Sequence, residues 1–194
     1  EQLGATGREW LPGLGYLDGN CLELSCLGEL LDALLVNIVV DSVDLYHHHN
    51  HEFHVAEHDS ETGYDMIEAA FTRLEERAAA GDIDHYGVAT WDAFRVPADH
   101  DSYLSLPEVV SRARAAAKAV GNTATHFRAV QLPFNVFMAD AFTVRSHDGA
   151  DGAQSALWFA HEAGLDVFTS ASIMQSDLAT EMPDSVEAKL DGDT

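Results

Sequence analysis

The sequence predicts an α/β fold in which parallel strands alternate with helices. Apolar, strand-like segments recur at intervals of about 40 residues, and one amphipathic helical segment separates each from the next. Right-handed crossovers between such strands make the sheet parallel. This pattern alone is consistent with both a barrel and an open doubly wound sheet.

The first periodic segments follow an irregular start. Residues 1–20 are rich in glycine and carry no clear period, so we expect a loop or a broken element there. Leucines at helical spacing then predict a helix over 27–38. A long apolar run ends in residues 43–52, and it predicts a buried strand over 43–49.

A second helix is expected over about 64–80, because apolar residues again recur at helical spacing. Arg73 and Arg77 on this helix are expected to pair in solvent with Glu75 and Glu76.

The alternation continues in the second half. A short strand is predicted over 85–90, and a further strand over 127–132. Between them, Ser105 and Glu108 predict a capping box at the start of a helix that ends near Gly121.

A third long helix is predicted over 149–163 and a last strand over 165–170. We therefore expect residues 1–194 to form a single partial domain. Its βα repeats span 21–178, and an acidic tail over 179–194 is expected to be a short helix or frayed.

The chain is strongly acidic. Asp and Glu number 33 against 10 Lys and Arg, which leaves a formal net charge of -23. Such a surface repels nucleic acid and anionic membranes, so neither is an expected partner. Adaptation to a salt-rich cytoplasm, a halophilic character, explains the charge better than acidic disorder, because 46% of the residues are hydrophobic.

The sequence starts without a charged and apolar signal segment, and it holds no apolar run long enough to span a bilayer, so we expect a cytoplasmic protein. Cys21 and Cys26 are interpreted as reduced packing residues. The chain begins at Glu1 without a methionine, which suggests that an N-terminal portion is absent.

Histidines cluster where the strand over 43–49 ends. Alternation places His47 and His49 on one face with Leu45, while Tyr46 and His48 point the other way. In parallel α/β folds the carboxyl ends of strands are where ligands bind. One or two of these imidazoles are therefore expected to serve a site.

Four segments resemble those of the aldo-keto reductase family, in the family's order and at its intervals. DLYHHHNHE at 44–52 resembles the fourth strand, and IDHYGVATWDAF at 83–94 resembles the fifth. FRAVQLPFN at 127–135 resembles the sixth, and AGLDVFTSASIMQSDL at 163–178 the seventh. The resemblance implies a partial TIM (β/α)8 barrel with its active site at the C-terminal ends of the strands.

The resemblance also implies a function. Members of the family transfer a hydride from NADP or NAD to a small carbonyl substrate, while a tyrosine, tuned by a lysine and an aspartate, donates the proton. On this match His49 is the catalytic histidine that orients or polarises the carbonyl oxygen, through a ring nitrogen.

The same match assigns the cofactor contacts. Ala89 and Thr90 stand where the family holds the nicotinamide carboxamide, and Gln131 stands where its amide-binding glutamine lies. Thr169 and Ser170 fall at the nicotinamide contact of the seventh strand. Thr169 takes the place of a stacked aromatic residue, so that contact is made differently or is lost.

The family's aspartate, tyrosine and lysine have no match in this sequence. No lysine precedes Asp44, and Tyr16 is the only tyrosine before it. A catalytically inactive fragment or degenerate relative is therefore the alternative interpretation. The two open sheet edges of a partial barrel predict self-association.

A metal-dependent barrel enzyme is a further alternative, with zinc ligands drawn from the histidine-rich segment. The candidate ligands are His47, His49, His51, His54 and His58. No spacing among them matches a standard motif, so no metal is assigned. Trp91 and Trp158 are interpreted as packing residues.

Overall fold

The structure, a computed structural model, describes residues 24–49, 60–150 and 152–173, with side chains from residue 27 onward. The helices are α1 (Leu24–Ile38), α2 (Ser60–Ala80), α3 (Leu106–Val120), α4 (Asp140–Thr143) and α5 (Ala156–Glu162). The strands are β1 (Val43–His49), β2 (Ile83–Ala89), β3 (Phe127–Pro133), β4 (His147–Gly149), β5 (Gly152–Gln154) and β6 (Asp166–Ser170). The predicted irregular start and acidic tail lie outside the described residues.

Four parallel strands form one sheet in the order β1, β2, β3, β6, and β4 and β5 form a separate antiparallel hairpin. Each strand of the sheet is added on the same side of the one before it. A doubly wound sheet instead reverses its strand order at a switch point. The observed order is that of a barrel.

The sheet is strongly curved. The rings of His47 on β1 and Phe168 on β6 meet edge to face, with centroids 5.3 Å apart. In a flat sheet these strands would be separated by three interstrand spacings, or about 14 Å. The concave inner face is therefore that of a partial (β/α) barrel, and the predicted fold class is confirmed.

The main core lies between the convex face of the sheet and the helices. Phe71 on α2, Tyr86 on β2 and Phe127 on β3 are all buried, and their ring centroids lie 5.2 to 5.6 Å apart. Gly87 on the concave face is required by close packing, since a Cβ there would lie 2.4 Å from the carbonyl oxygen of Ala129.

The predicted cap of α3 is present in part. The Ser105 hydroxyl accepts the N–H of Glu108 at 3.4 Å, and the helix ends at Gly121 in a left-handed conformation with φ +84°. The Glu108 carboxylate binds Arg112 at 2.7 Å instead of returning to Ser105, whose N–H donates to the Tyr64 hydroxyl at 2.8 Å.

The prediction of a continuous helix over 149–163 is wrong. His147–Gly149 and Gly152–Gln154 pair as the antiparallel strands β4 and β5, and within the described part of this range only Ala156–Glu162 is helical. Gly152 has φ +104°, which is incompatible with a right-handed helix. The dipeptide Asp151-Gly152 is a hairpin signal that the helical pattern concealed.

The predicted solvent pairing on α2 is correct only for Arg73, which binds Glu76 at 2.8 Å. Arg77 binds Asp32 and Asp82 instead. Glu75 is fully buried and faces the end of the barrel opposite the candidate site. None of the described helices is both long and apolar enough to cross a membrane.

Candidate active site

One cleft lies at the carboxyl ends of the four parallel strands. Its volume is about 210 Å³, and its lining residues come from all four strands and the loop that follows β2. These residues are His49, Ala89, Thr90, Trp91, Gln131 and Ser170. Five of the six sequence-predicted site residues are thus brought together.

Strand register explains how residues as far apart in the sequence as His49 and Ser170 meet. His49 pairs with Ala89, and Ala89 pairs with Gln131, so the three lie in one row across β1, β2 and β3. Ser170 on β6 pairs with Pro133, two residues beyond Gln131. Because partners in a parallel sheet share a face, this row points into the barrel.

Thr90 contributes an unusual polar atom to the cleft. Its side chain is 5% exposed, and its Oγ1 is buried with no hydrogen-bond partner among the described residues. Its backbone is held in place by a 2.9 Å bond from its N–H to the carbonyl of Gln131. A buried hydroxyl left without a partner is destabilising, so a ligand group that bonds to it would be favoured.

The histidines separate as alternation predicts. His48 is buried on the convex side, where Tyr46 packs against the core, while His47 and His49 face the concave side. Burial lowers the pKa of His49, and burial together with the neighbouring His49 lowers the pKa of His47. Both imidazoles are therefore neutral near pH 7, with one N–H available to donate.

Thr169 does not line the cleft. On β6 it alternates with Ser170 and Phe168, which face the inside of the barrel, and so it points to the other side. Ser170, assigned to the same contact, does line the cleft. No aromatic residue of β6 lines this cleft within the described residues.

Trp91 is the cleft residue that sequence reasoning missed. It was interpreted as a packing residue, but its side chain is 41% exposed and forms part of the cleft wall. The available signal was its place directly after the β2 segment, where a loop leaves the carboxyl end of a strand. Trp158, also interpreted as a packing residue, is 55% exposed.

Tyrosines near the site are turned away from it. Tyr46 lies on β1 but packs on the convex side, and burial raises its pKa to about 12. Burial also raises the pKa of Tyr86, whose hydroxyl donates to Glu75 at 3.0 Å. Lys118, one of two lysines in the chain, is exposed near the end of α3 that leads away from the cleft.

Metal ligands do not gather in the part of the chain that the structure describes, where no three His, Cys, Asp or Glu side chains form a candidate site. His47 and His49 are neighbours there. The other expected ligands, His51, His54 and His58, lie outside the described residues.

Comparison with known proteins gives a likeness of fold. No protein-family model matches the chain, and no curated protein matches its sequence. Among solved structures, a glycerol dehydrogenase, AKR11B4 from Gluconobacter oxydans, superposes with a TM-score of 0.51 at 15% identity. The match covers 83% of this chain and 36% of that one.

An aldo/keto reductase from Brucella melitensis superposes with a TM-score of 0.45 at 13% identity, over 85% of this chain and 47% of that one. This chain therefore spans less than half the length of either structure. The first likeness supports the partial barrel.

Proposed function

We propose that this chain carries the nicotinamide- and carbonyl-contacting part of an NAD(P)H-dependent oxidoreductase of the aldo-keto reductase type, which reduces aldehydes or ketones to alcohols. The cleft is the observation that carries the proposal. Residues assigned from four separate sequence segments line one space at the active end of a partial barrel.

The cleft fits the carboxamide of a nicotinamide. A primary amide has both N–H donors and a carbonyl acceptor, and the Gln131 side chain offers the complementary pair. The unpartnered Thr90 hydroxyl offers one more donor or acceptor beside it. The single methyl group of Ala89 leaves space for a flat ring between them.

His49 is the group best placed to act on the substrate. A reduced nicotinamide would supply the hydride, and negative charge then develops on the carbonyl oxygen. The neutral His49 ring can donate its N–H to that oxygen from the rim of the cleft. Trp91 would form an aromatic wall beside the reacting groups.

The test is an assay of the full chain with NADPH or NADH and an aromatic aldehyde such as 4-nitrobenzaldehyde. His49→Ala should lower kcat/KM by about 100-fold or more if His49 stabilises the developing charge. His85→Ala is the matched control, because His85 is an exposed histidine near the other end of β2. An equal loss in both variants would contradict the role of His49.

A nicotinamide-binding protein without turnover is the second candidate. It is favoured by the lining of the cleft, where the described residues include no tyrosine and no lysine to supply the proton. Loss of such an acid is worth about 100- to 10,000-fold in rate. Energy transfer from tryptophan to NADPH measures binding. If NADPH binds and no aldehyde is reduced, this candidate is supported over the first.

A further inference from the structure

A second pocket lies on the same side of the barrel but away from the cleft, and the proposed reductase chemistry does not use it. It is formed by α4 and the segment that follows it, by β5 of the hairpin and by the first turn of α5, and we call it the hairpin pocket. Its volume is about 600 Å³, within the range of small-molecule sites. Phe142, Arg145, Gln154 and Trp158 are the lining residues that define its chemistry.

Two aromatic side chains form its apolar walls. Phe142 is 62% exposed and Trp158 is 55% exposed. Both rings would bury apolar area by contact with a flat ligand, and aromatic rings prefer offset or edge-to-face partners.

Hydrogen bonds hold the Trp158 wall and the Gln154 floor of the pocket in place. The Trp158 indole N–H donates to Glu162 Oε1 at 3.1 Å, and the other oxygen of the same carboxylate accepts the Gln154 amide at 2.6 Å. Gln154 is only 6% exposed. Its side chain lies across Gly149, where a Cβ would come within 2.1 Å of it. The Glu162 carboxylate thus holds both Trp158, which forms one wall, and Gln154, which forms the floor of the pocket. Gly149 leaves room for the Gln154 side chain.

Arg145 provides the charge. Most of the described arginines bind carboxylates, as Arg95 and Arg112 do. Arg145 is exposed and has no carboxylate partner within the described part of a chain whose net charge is -23. A guanidinium binds a carboxylate through two parallel hydrogen bonds. The surrounding negative charge disfavours ligands with several anionic groups.

We propose that the hairpin pocket binds a planar aromatic monocarboxylate, with its ring against Trp158 and Phe142 and its carboxylate on Arg145. This site is independent of the proposed reductase site, because the two share no lining residue.

Titration with 2-naphthoate, followed by saturation-transfer NMR and by tryptophan fluorescence, tests the proposal on the full chain without nicotinamide. We expect saturable binding, weakened roughly tenfold by Arg145→Gln, which removes a charge-assisted contact. Arg114→Gln is the matched control, because Arg114 is exposed on α3 and likewise has no carboxylate partner among the described residues. It should change the dissociation constant less than about twofold. Neutral 2-naphthamide, with the same shape, should bind at least tenfold more weakly.

The role of the ring is tested separately. Trp158→Ala should weaken binding, whereas Trp158→Phe keeps an aromatic wall and should retain most of it. No saturable binding of 2-naphthoate would overturn the proposal. Equal weakening by the two arginine variants, or equal affinity for the amide, would also overturn it.

Discussion

Two sets of buried polar groups at opposite ends of the sheet differ in their hydrogen bonding. At the N-terminal end of the strands, the buried Glu75 carboxylate is surrounded by hydrogen-bond donors. Toward the C-terminal end, Thr90 Oγ1 and His47 Nε2 are buried with no partner among the described residues. A satisfied network contributes to stability, while unsatisfied groups oppose it and are typical of places where a ligand completes the bonding.

The N-terminal network joins α2, β2 and the loop before β3. Glu75 near the end of α2 accepts bonds from Tyr86 on β2 at 3.0 Å, and from Asn122 and Thr125 in the loop before β3 at 2.8 and 2.7 Å. His126 approaches it with its backbone N–H at 2.8 Å and with its ring Nδ1 at 2.6 Å. The carboxylate therefore replaces water for groups that helix packing has buried.

The largest effect should come from removing this carboxylate. Glu75→Ala would leave several buried donors without an acceptor and should lower the free energy of unfolding by about 3–5 kcal/mol. Glu76→Ala, one residue away on the exposed side, should change it by less than about 1 kcal/mol. Denaturant unfolding of both variants gives the comparison.

If Glu75→Ala unfolds the chain outright, Glu75→Gln keeps the shape and one acceptor oxygen. It should then remain folded with an intermediate loss of stability. Equal and small effects of the Glu75 and Glu76 variants would show that the network does not stabilise the N-terminal end.

The sequence predicted the parts of this molecule that depend on local pattern. The bounds of β1 and the opposite directions of His47 and His48 follow from alternation alone. The end of α3 follows from the conformational freedom of Gly121. Five cleft residues could be found because each lies at a strand end whose sequence resembles a known segment.

Features that depend on distant partners could not be found in the same way. Glu75 follows Phe71 by four residues and so shares its buried face, but a carboxylate is acceptable there only because Tyr86 and the α3–β3 loop supply donors. The hairpin was missed because Ala156–Glu162 continues a helical pattern that Gly152 has to interrupt. Exposure of Trp91 depends on the curvature of the whole sheet.

The two ends should also lose stability in different pH ranges. Toward the C-terminal end, burial lowers the pKa of His147, whose Nδ1 accepts the Leu106 N–H at 3.2 Å. Its folded pKa is below its unfolded value of about 6.5, so its contribution is full above that value and decreases as the pH falls below it. The lowered pKa values of His47 and His49 act in the same direction.

At the N-terminal end the sign is the same but the range is lower. Burial alone would raise the pKa of Glu75, but bonds from His126, Thr125 and Asn122 outweigh it and hold the pKa below its ordinary value. Its contribution is therefore full above about pH 4.5 and decreases as the pH falls through the folded pKa.

Urea unfolding between pH 7.5 and 3.5 should thus give two successive losses of stability. Glu75→Gln should remove the loss of stability below about pH 4.5. It should leave unchanged the loss that the histidines cause as the pH falls below about 6.5. The expectation fails if stability is constant from pH 7 to 5, or if Glu75→Gln removes the loss near pH 6.

The smallest changes in stability are expected from the same type of substitution, threonine to valine, made once at each end of the sheet. Thr125→Val removes a hydroxyl that donates to Glu75 at 2.7 Å, and should lower the free energy of unfolding by about 1–3 kcal/mol. Thr90→Val removes a buried hydroxyl that has no partner, and should leave stability unchanged or raise it by up to about 1 kcal/mol.

The Thr90→Val and Thr125→Val variants also distinguish an effect on cofactor binding from an effect on the stability of the fold. If Thr90 is kept for a ligand, Thr90→Val should weaken NADPH or NADH binding roughly tenfold while the protein becomes no less stable. Thr125→Val should leave the affinity of the folded protein unchanged, because Thr125 lies at the opposite end of the sheet. A Thr90→Val variant as destabilised as Thr125→Val would mean that its hydroxyl is satisfied within the fold, and the difference between the two ends would then disappear.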